Sequence, residues 1–209
     1  MFHPPRTVRF AVAAVTVIAV TGLVGCSTND TTTPMPGMSG MGHGSSTAPA
    51  ASPASGPHNQ VDVMFAQMMI PHHQQAIEMS DIILAKDGIK SEVTDLATQI
   101  KAAQGPEITT MTGWLAGWGQ NPSPSMGMDH GMGGGLMSQA DMDALRDADG
   151  DDAARLFLTG MITHHQGAIA MAKQELANGQ NPDAKQLAQN IIDAQQAEIA
   201  TMNTLLQNL

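Results

Sequence analysis

The 209-residue sequence has no tyrosine, one cysteine, four phenylalanines and two tryptophans, and its 9 basic residues face 19 acidic ones. Each shortage excludes something. A formal charge of −10 repels the phosphates of nucleic acids and anionic lipid headgroups alike, so no nucleic acid partner is expected. With Cys26 as the sole cysteine, the mature fold has neither disulfides nor thiolate metal ligands. At 42% hydrophobic and 13% charged, the chain can fill one compact core with tails but scarcely two independent cores. Against these shortages stands one excess, 17 methionines, more than an ordinary core requires.

The N-terminus speaks to compartment. Arg6 and Arg9 precede an apolar run from Phe10 to Val20, and Leu23-Val24-Gly25-Cys26 follows. That run is about half the roughly 20 residues needed to span a bilayer. It reads instead as a signal peptide over residues 1–25, and the tetrad resembles the lipobox of bacterial lipoproteins. Cys26 is then the lipidated first residue, and the protein is exported and anchored to the outer face of a membrane.

From 26 to 58 the chain is rich in Thr, Pro, Gly, Ser and Ala, a composition that buries too little apolar area to offset ordering entropy, so it reads as a tether. A second break runs from Gly119 to Gly135, with Asn121-Pro122, Ser123-Pro124 and a glycine run. The expected organisation is a helical region over 59–209, made of a first hairpin (59–118), a linker (119–137), and a short helix with a second hairpin (138–209).

The two halves repeat each other. The segment Phe65 to Met79 aligns with Phe157 to Met171 at an offset of 92, so that His72-His73 matches His164-His165. Downstream, Ile100, Gln104, Glu107, Ile108 and Met111 match Ile191, Gln195, Glu198, Ile199 and Met202 at an offset of 91. Four helices joined pairwise by short turns predict an all-α, ferritin-like antiparallel four-helix bundle built from two duplicated hairpins. A short extra helix is expected from Gln139 to about Ala148, with Ser138 as its N-cap and Asp149-Gly150 ending it.

Phe65, His72 and Met79 are seven apart, as are Phe157, His164 and Met171, which sets one histidine of each pair in an apolar stripe. Adjacent helical residues point about 100° apart, so His72 and His164 are the better ligand candidates and His73 and His165 belong at the flank. On the partner helices, the series Val93, Ile100, Glu107, Trp114 and Ile191, Glu198, Leu205 put a carboxylate in each stripe. A buried unpaired carboxylate costs several kcal/mol. Glu107 and Glu198 must therefore be protonated, paired with histidine or bound to a cation.

Methionine narrows the choice of cation, because a thioether is a soft ligand that selects Cu(I) over zinc, iron or magnesium. Met79, Met111, Met171 and Met202 lie where they can join the histidines and glutamates, although methionine in a helical stripe also serves plain packing. Those in the linkers have no core to join: Met35, Met38 and Met41 with His43, and Met126, Met128 and Met132 with His130. These clusters look like the Met/His motifs of exported copper-handling proteins and are read as secondary capture sites.

The helices resemble the bacterial family catalogued as domain of unknown function 305, whose members carry Met-Ile-x-His-His-x-x-Ala-Ile-x-Met. Met69 to Met79 and Met161 to Met171 both fit that pattern. The resemblance covers roughly Val61 to Leu209 and implies a ferritin-like fold and copper binding outside the cytoplasm; it does not by itself imply an enzyme. The sequence departs from symmetry at Pro71 and at Gly105-Pro106, where the second half has Thr163 and Gln196-Ala197. A proline inside a helix removes a hydrogen bond and bends the axis, so the first hairpin is expected to be kinked and the two halves to be unequal.

Three functions follow. The favoured one is a lipid-anchored protein that sequesters or transfers copper, with no organic cofactor and with a protein partner for transfer left open. The second is a metal-free, surface-tethered interaction module whose His-Glu pairs serve packing. The third, a ferritin-like dimetal oxidase, needs Glu-x-x-His on two helices, and that motif is absent.

Overall fold

The computed structural model describes residues 56–122 and 134–209. The described chain is all-helical: α1 (Gln60–Leu84), α2 (Ser91–Gly117), α3 (Gln139–Asp147), α4 (Gly150–Asn178) and α5 (Pro182–Gln207). Cys26 and the linker group Met35, Met38, Met41, His43, Met126, Met128, His130 and Met132 lie outside the described residues.

Local chemistry explains the helix starts. Asn59 caps α1 in a reciprocal box with Asp62, Ser138 does the same for α3 with Asp141, and Asn181 caps α5 with Pro182 behind it. The short helix falls where expected, but Gly150 opens α4 instead of closing α3. Both α1 and α2 run unbroken through Pro71 and Pro106. Each proline lies on an exposed face, where its missing N–H and stranded carbonyl partner cost least.

The hairpins α1–α2 and α4–α5 pack through α1 against α4. These two central helices are antiparallel, since Asn59 at the start of α1 donates to the carbonyl of Asn178 at the end of α4 (2.9 Å). Lys90 at the start of α2 likewise reaches the carbonyl of Asn208 beyond α5 (2.6 Å). The result is a four-helix bundle whose halves are related by an approximate twofold axis.

Two apolar clusters fill the bundle. One holds Phe65, Met69, Met111, Trp114, Leu115 and Ile191. The other holds Met79, Ile83, Ile100, Phe157, Met161 and Met202. Between them, on all four helices, runs a polar layer: His72, His73, Gln104, Glu107, His164, His165, Gln195 and Glu198. In the first cluster's end of the bundle, His58 stacks on Trp118 (centroids 4.6 Å apart) and Asn181 donates to the carbonyl of Pro57. Packing thus begins inside the stretch expected to be tether.

Candidate metal centre

The four histidines are buried to within 1% of full enclosure. Only His72 and His164 are on the axial line: their rings face each other across the α1–α4 contact, centroids 3.6 Å apart. His73 and His165 are equally enclosed, not flanking, because the α1–α2 and α4–α5 contacts bury their side of the helix. Each turns to the glutamate of its own hairpin. His73 Nε2 meets Glu107 Oε2 at 2.6 Å, and His165 Nε2 meets Glu198 Oε2 at 2.6 Å. The glutamates themselves retain about a fifth of their exposure, 21% and 19%, so the carboxylates sit at the rim of the layer.

Hydrogen bonding fixes tautomers. A backbone carbonyl only accepts, so the contact of His72 Nε2 with the Gly134 oxygen (2.5 Å) places the ring proton on Nε2 and leaves Nδ1 a lone pair. A carboxylate does the same for His73 and His165. Their Nδ1 atoms, that of His72, and both ring nitrogens of His164 are buried and find no hydrogen-bond partner among the described residues. Burial, reinforced by the neighbouring histidines, drives His164 well below the usual imidazole range and His72 down to about 3. These two rings are neutral at physiological pH, with lone pairs free to bind a Lewis acid.

The layer is not symmetric, because a strap at 134–137 engages one side of it. Gly134 binds His72, while the Gln75 side chain grips Met137 twice, accepting from its N–H (2.8 Å) and donating to its carbonyl (3.0 Å). The strap lies directly on α4. A Cβ on Gly167 would stand 1.7 Å from the Gly134 oxygen, and Gly135 adopts a left-handed φ of 75°, with its own hypothetical Cβ 2.3 Å from the Thr163 oxygen. Only glycine permits either approach. The repeat marks the difference, since Gly167 aligns with Gln75: one copy supplies the clamp and the other the bare track. Among the described residues, no carbonyl stands to His164 as that of Gly134 stands to His72.

Of the remaining predicted ligands, Met79, Met111 and Met202 are fully buried in the two apolar clusters on either side of the layer. Met171 is only partly buried and reaches the strap, since a Cβ on Gly134 would be 3.8 Å from both its sulfur and His72 Cδ2. Among the described residues, no three His, Cys, Asp or Glu side chains are grouped to hold a metal ion as they stand.

Sequence reasoning missed Gln104 and Gln195 as members of the layer. Both are at least 97% buried, and Gln104 Nε2 and Oε1 and Gln195 Oε1 have no partner. Their recurrence three residues before Glu107 and Glu198 was the available signal. Gly134, Gln75 and Gly167 carried no such signal, because their roles depend on one loop folding back.

Residues 62–206 match the family model "Domain of unknown function (DUF305)". Among solved structures, a DUF305 fragment from Deinococcus radiodurans is 33% identical with a TM-score of 0.67, over 74% of this chain and 100% of that one. CopM in its Cu(I)-bound form is 36% identical with a TM-score of 0.58, over 70% of this chain and 96% of that one. A DUF305 protein from Streptomyces coelicolor, named as secreted, is 34% identical with a TM-score of 0.65, over 71% and 91% of the two chains. Among curated proteins, an uncharacterized protein of Acanthamoeba polyphaga mimivirus is 48% identical over 50 residues, 24% of this chain, and the match spans 33% of that relative's length.

Proposed function

The chain belongs to the DUF305 family, and on that premise we propose that it is an exported, lipid-anchored copper protein that holds Cu(I) in the histidine layer of its bundle. The observation that carries this reading is the set of buried ring nitrogens without partners: Nδ1 of His72, His73 and His165 and both nitrogens of His164. Metal-bound histidines commonly donate their other N–H to a carboxylate or a backbone carbonyl, which fixes the tautomer and raises basicity. Glu107, Glu198 and the Gly134 carbonyl stand in those positions. Met171 beside His72 offers the soft donor that favours Cu(I).

The comparisons favour copper as the metal. CopM has been crystallised with Cu(I), Cu(II) and silver, and silver is a stand-in for Cu(I). Export draws on the name of the Streptomyces relative, which describes a secreted protein, and on the lipobox reading of Cys26; among the described residues no helix is long and apolar enough to cross a membrane. The arms carrying Met35, Met38, Met41, His43, Met126, Met128, His130 and Met132 would collect ions, and the bundle would hold them for sequestration or for transfer to a partner.

The test is a Cu(I) titration of the mature chain against a chromophoric competitor. His164→Phe keeps a ring against His72 but removes both nitrogens, and Glu198→Gln weakens the support of His165. Each should lower affinity, the latter by about 10- to 100-fold. Unchanged affinity in both, with binding lost on deleting residues 27–58 and 123–133, would move the site out of the bundle. The metal-free module gains support from the His-Glu contacts, which are closed as they stand. Metal-free protein recovered from copper-replete cells would favour it.

A further inference from the structure

The pseudo-twofold axis relates two grooves on the bundle, and they have diverged. One, lined by Leu156, Thr159, Gly160 and Thr163 of α4, is partly filled by the strap, with Met137 against Gly160. Its counterpart, a pocket of about 160 Å³ on α1, is lined by Met64 and Met68 together with Met171 and Glu175 of α4. In the repeat, Met64 aligns with Leu156, Met68 with Gly160, Met171 with Met79 and Glu175 with Ile83. The same fold is thus built with aliphatic or small residues at three of these positions. Packing alone does not require thioethers or a carboxylate there.

Three further observations point to a ligand. Met64, Met68 and Met171 are each only partly buried and line this pocket, which is unusual for side chains whose normal use is to fill cores. Glu175 is fully buried, and among the described residues its carboxyl accepts no hydrogen bond; its neighbour is Asp62, to which the protonated carboxyl would donate. The pocket also adjoins the histidine layer. Met64, Met68 and His72 follow one another at four-residue intervals along one face of α1, and Met171, which lines the pocket, shares with His72 the space beside Gly134.

We propose that Met64, Met68 and Met171, with the Glu175 carboxyl beneath them, form a solvent-open site for a soft monovalent cation, distinct from the histidine layer and leading into it. Neutral thioethers bind such an ion without proton release and exclude hard cations. Their exchangeable, partly exposed position suits capture, and Met171 is the shared neighbour through which an ion passes to His72. The choice of ion rests on the copper reading above; the existence of the site does not rest on the histidines.

The experiment uses Ag(I), diamagnetic and redox-inert, added to the full mature chain carrying 13C-methyl methionine and 15N histidine. Individual methyl signals are assigned by single Met→Leu replacements, which conserve volume. The expected result is a shift of the Met64, Met68 and Met171 methyl signals, and one fewer Ag(I) bound by native mass spectrometry in M64L/M68L, whose melting temperature should stay near that of the parent. Silent Met64 and Met68 methyls at saturating Ag(I), or an unchanged stoichiometry in M64L/M68L, overturn the site. Imidazole shifts in that situation keep the histidine reading alive; methyl shifts with silent imidazoles do the reverse.

Discussion

Replacing Gly167 with alanine should destabilise this protein, although glycine to alanine within a helix ordinarily gains about 1 kcal/mol. The added Cβ would lie 1.7 Å from the Gly134 oxygen, 2.2 Å from its carbonyl carbon and 2.7 Å from the Gly135 nitrogen. All three are backbone atoms, so no rotamer change relieves the clash. The strap must lift by roughly 1.5 Å to restore van der Waals contact, and two attachments suffer. The His72 Nε2–H loses its acceptor, and a buried donor left unpaired costs about 1–3 kcal/mol. The paired Gln75–Met137 hydrogen bonds are strained at a cost of about 1 kcal/mol. After the helical gain is subtracted, the net loss is about 1–3 kcal/mol, or several degrees of melting temperature for a domain of this size. Circular dichroism at 222 nm reads the melt, and the 15N–1H correlation of the His72 ring reads the hydrogen bond. Gly160→Ala is the control, because its Cβ would meet only the flexible Met137 side chain, 2.8 Å from the sulfur, and stability should change little. A Gly167→Ala protein that melts higher than the parent, with its His72 ring signal unmoved, would refute the packing of the strap on α4.

Two further outcomes concern the end of the bundle where α1 meets the α4–α5 turn. Burial, and then the Asp62 carboxyl beside it, push Glu175 up to about 8 from an ordinary carboxyl value of 4.5. With the folded value raised, the associated stability is fully present below about pH 4.5 and is lost as pH rises through about 8; Glu175→Gln should therefore match the parent near pH 4 and exceed it by on the order of 2 kcal/mol at pH 9, a figure already reduced for solvent in the adjoining pocket. Urea melts across that range check it, and parallel pH profiles for the two proteins would contradict it. Burial opposes ionisation of Asp62 as well, but N–H donation from Asn59, Asn181 and Gln180 outweighs it and holds that carboxyl below its usual value. Asp62→Ala strands those donors and should cost about 2–4 kcal/mol, again by urea melts; a cost under 0.5 kcal/mol would mean that water replaces the carboxylate freely.

The duplicated hairpins, the short helix and the positions of most helix ends were legible because each is a local property: a seven-residue apolar spacing, a capping side chain, a glycine or proline at a turn. The glutamates were legible as partners in need of a cation or a histidine. Which histidine each would meet was not. The 100° step between His72 and His73 identifies two faces of α1 but not what lies opposite each face, and that is decided by α4 on one side and α2 on the other. The same limit hid Met64 and Met68. In a helical stripe a methionine reads as core, and only the course of the strap, which fills one groove and leaves its counterpart open, shows them half-exposed around a pocket.

That dependence on tertiary contact also changes what the duplication means. Read along the chain, each hairpin carries its own His-His-Glu set, and two separate, unequal sites follow. In the fold, α1 and α4 cross at the histidines, and the rings of His72 and His164, one from each hairpin, stand 3.6 Å apart. The strap then breaks the tie. Gly134 engages Nε2 of His72, while His164 keeps both nitrogens free, so His164 is the ring that can turn either nitrogen toward an incoming ion while His72 offers only Nδ1. An inequality between the halves thus lies at the shared axis, in the acceptor that one ring has and the other lacks.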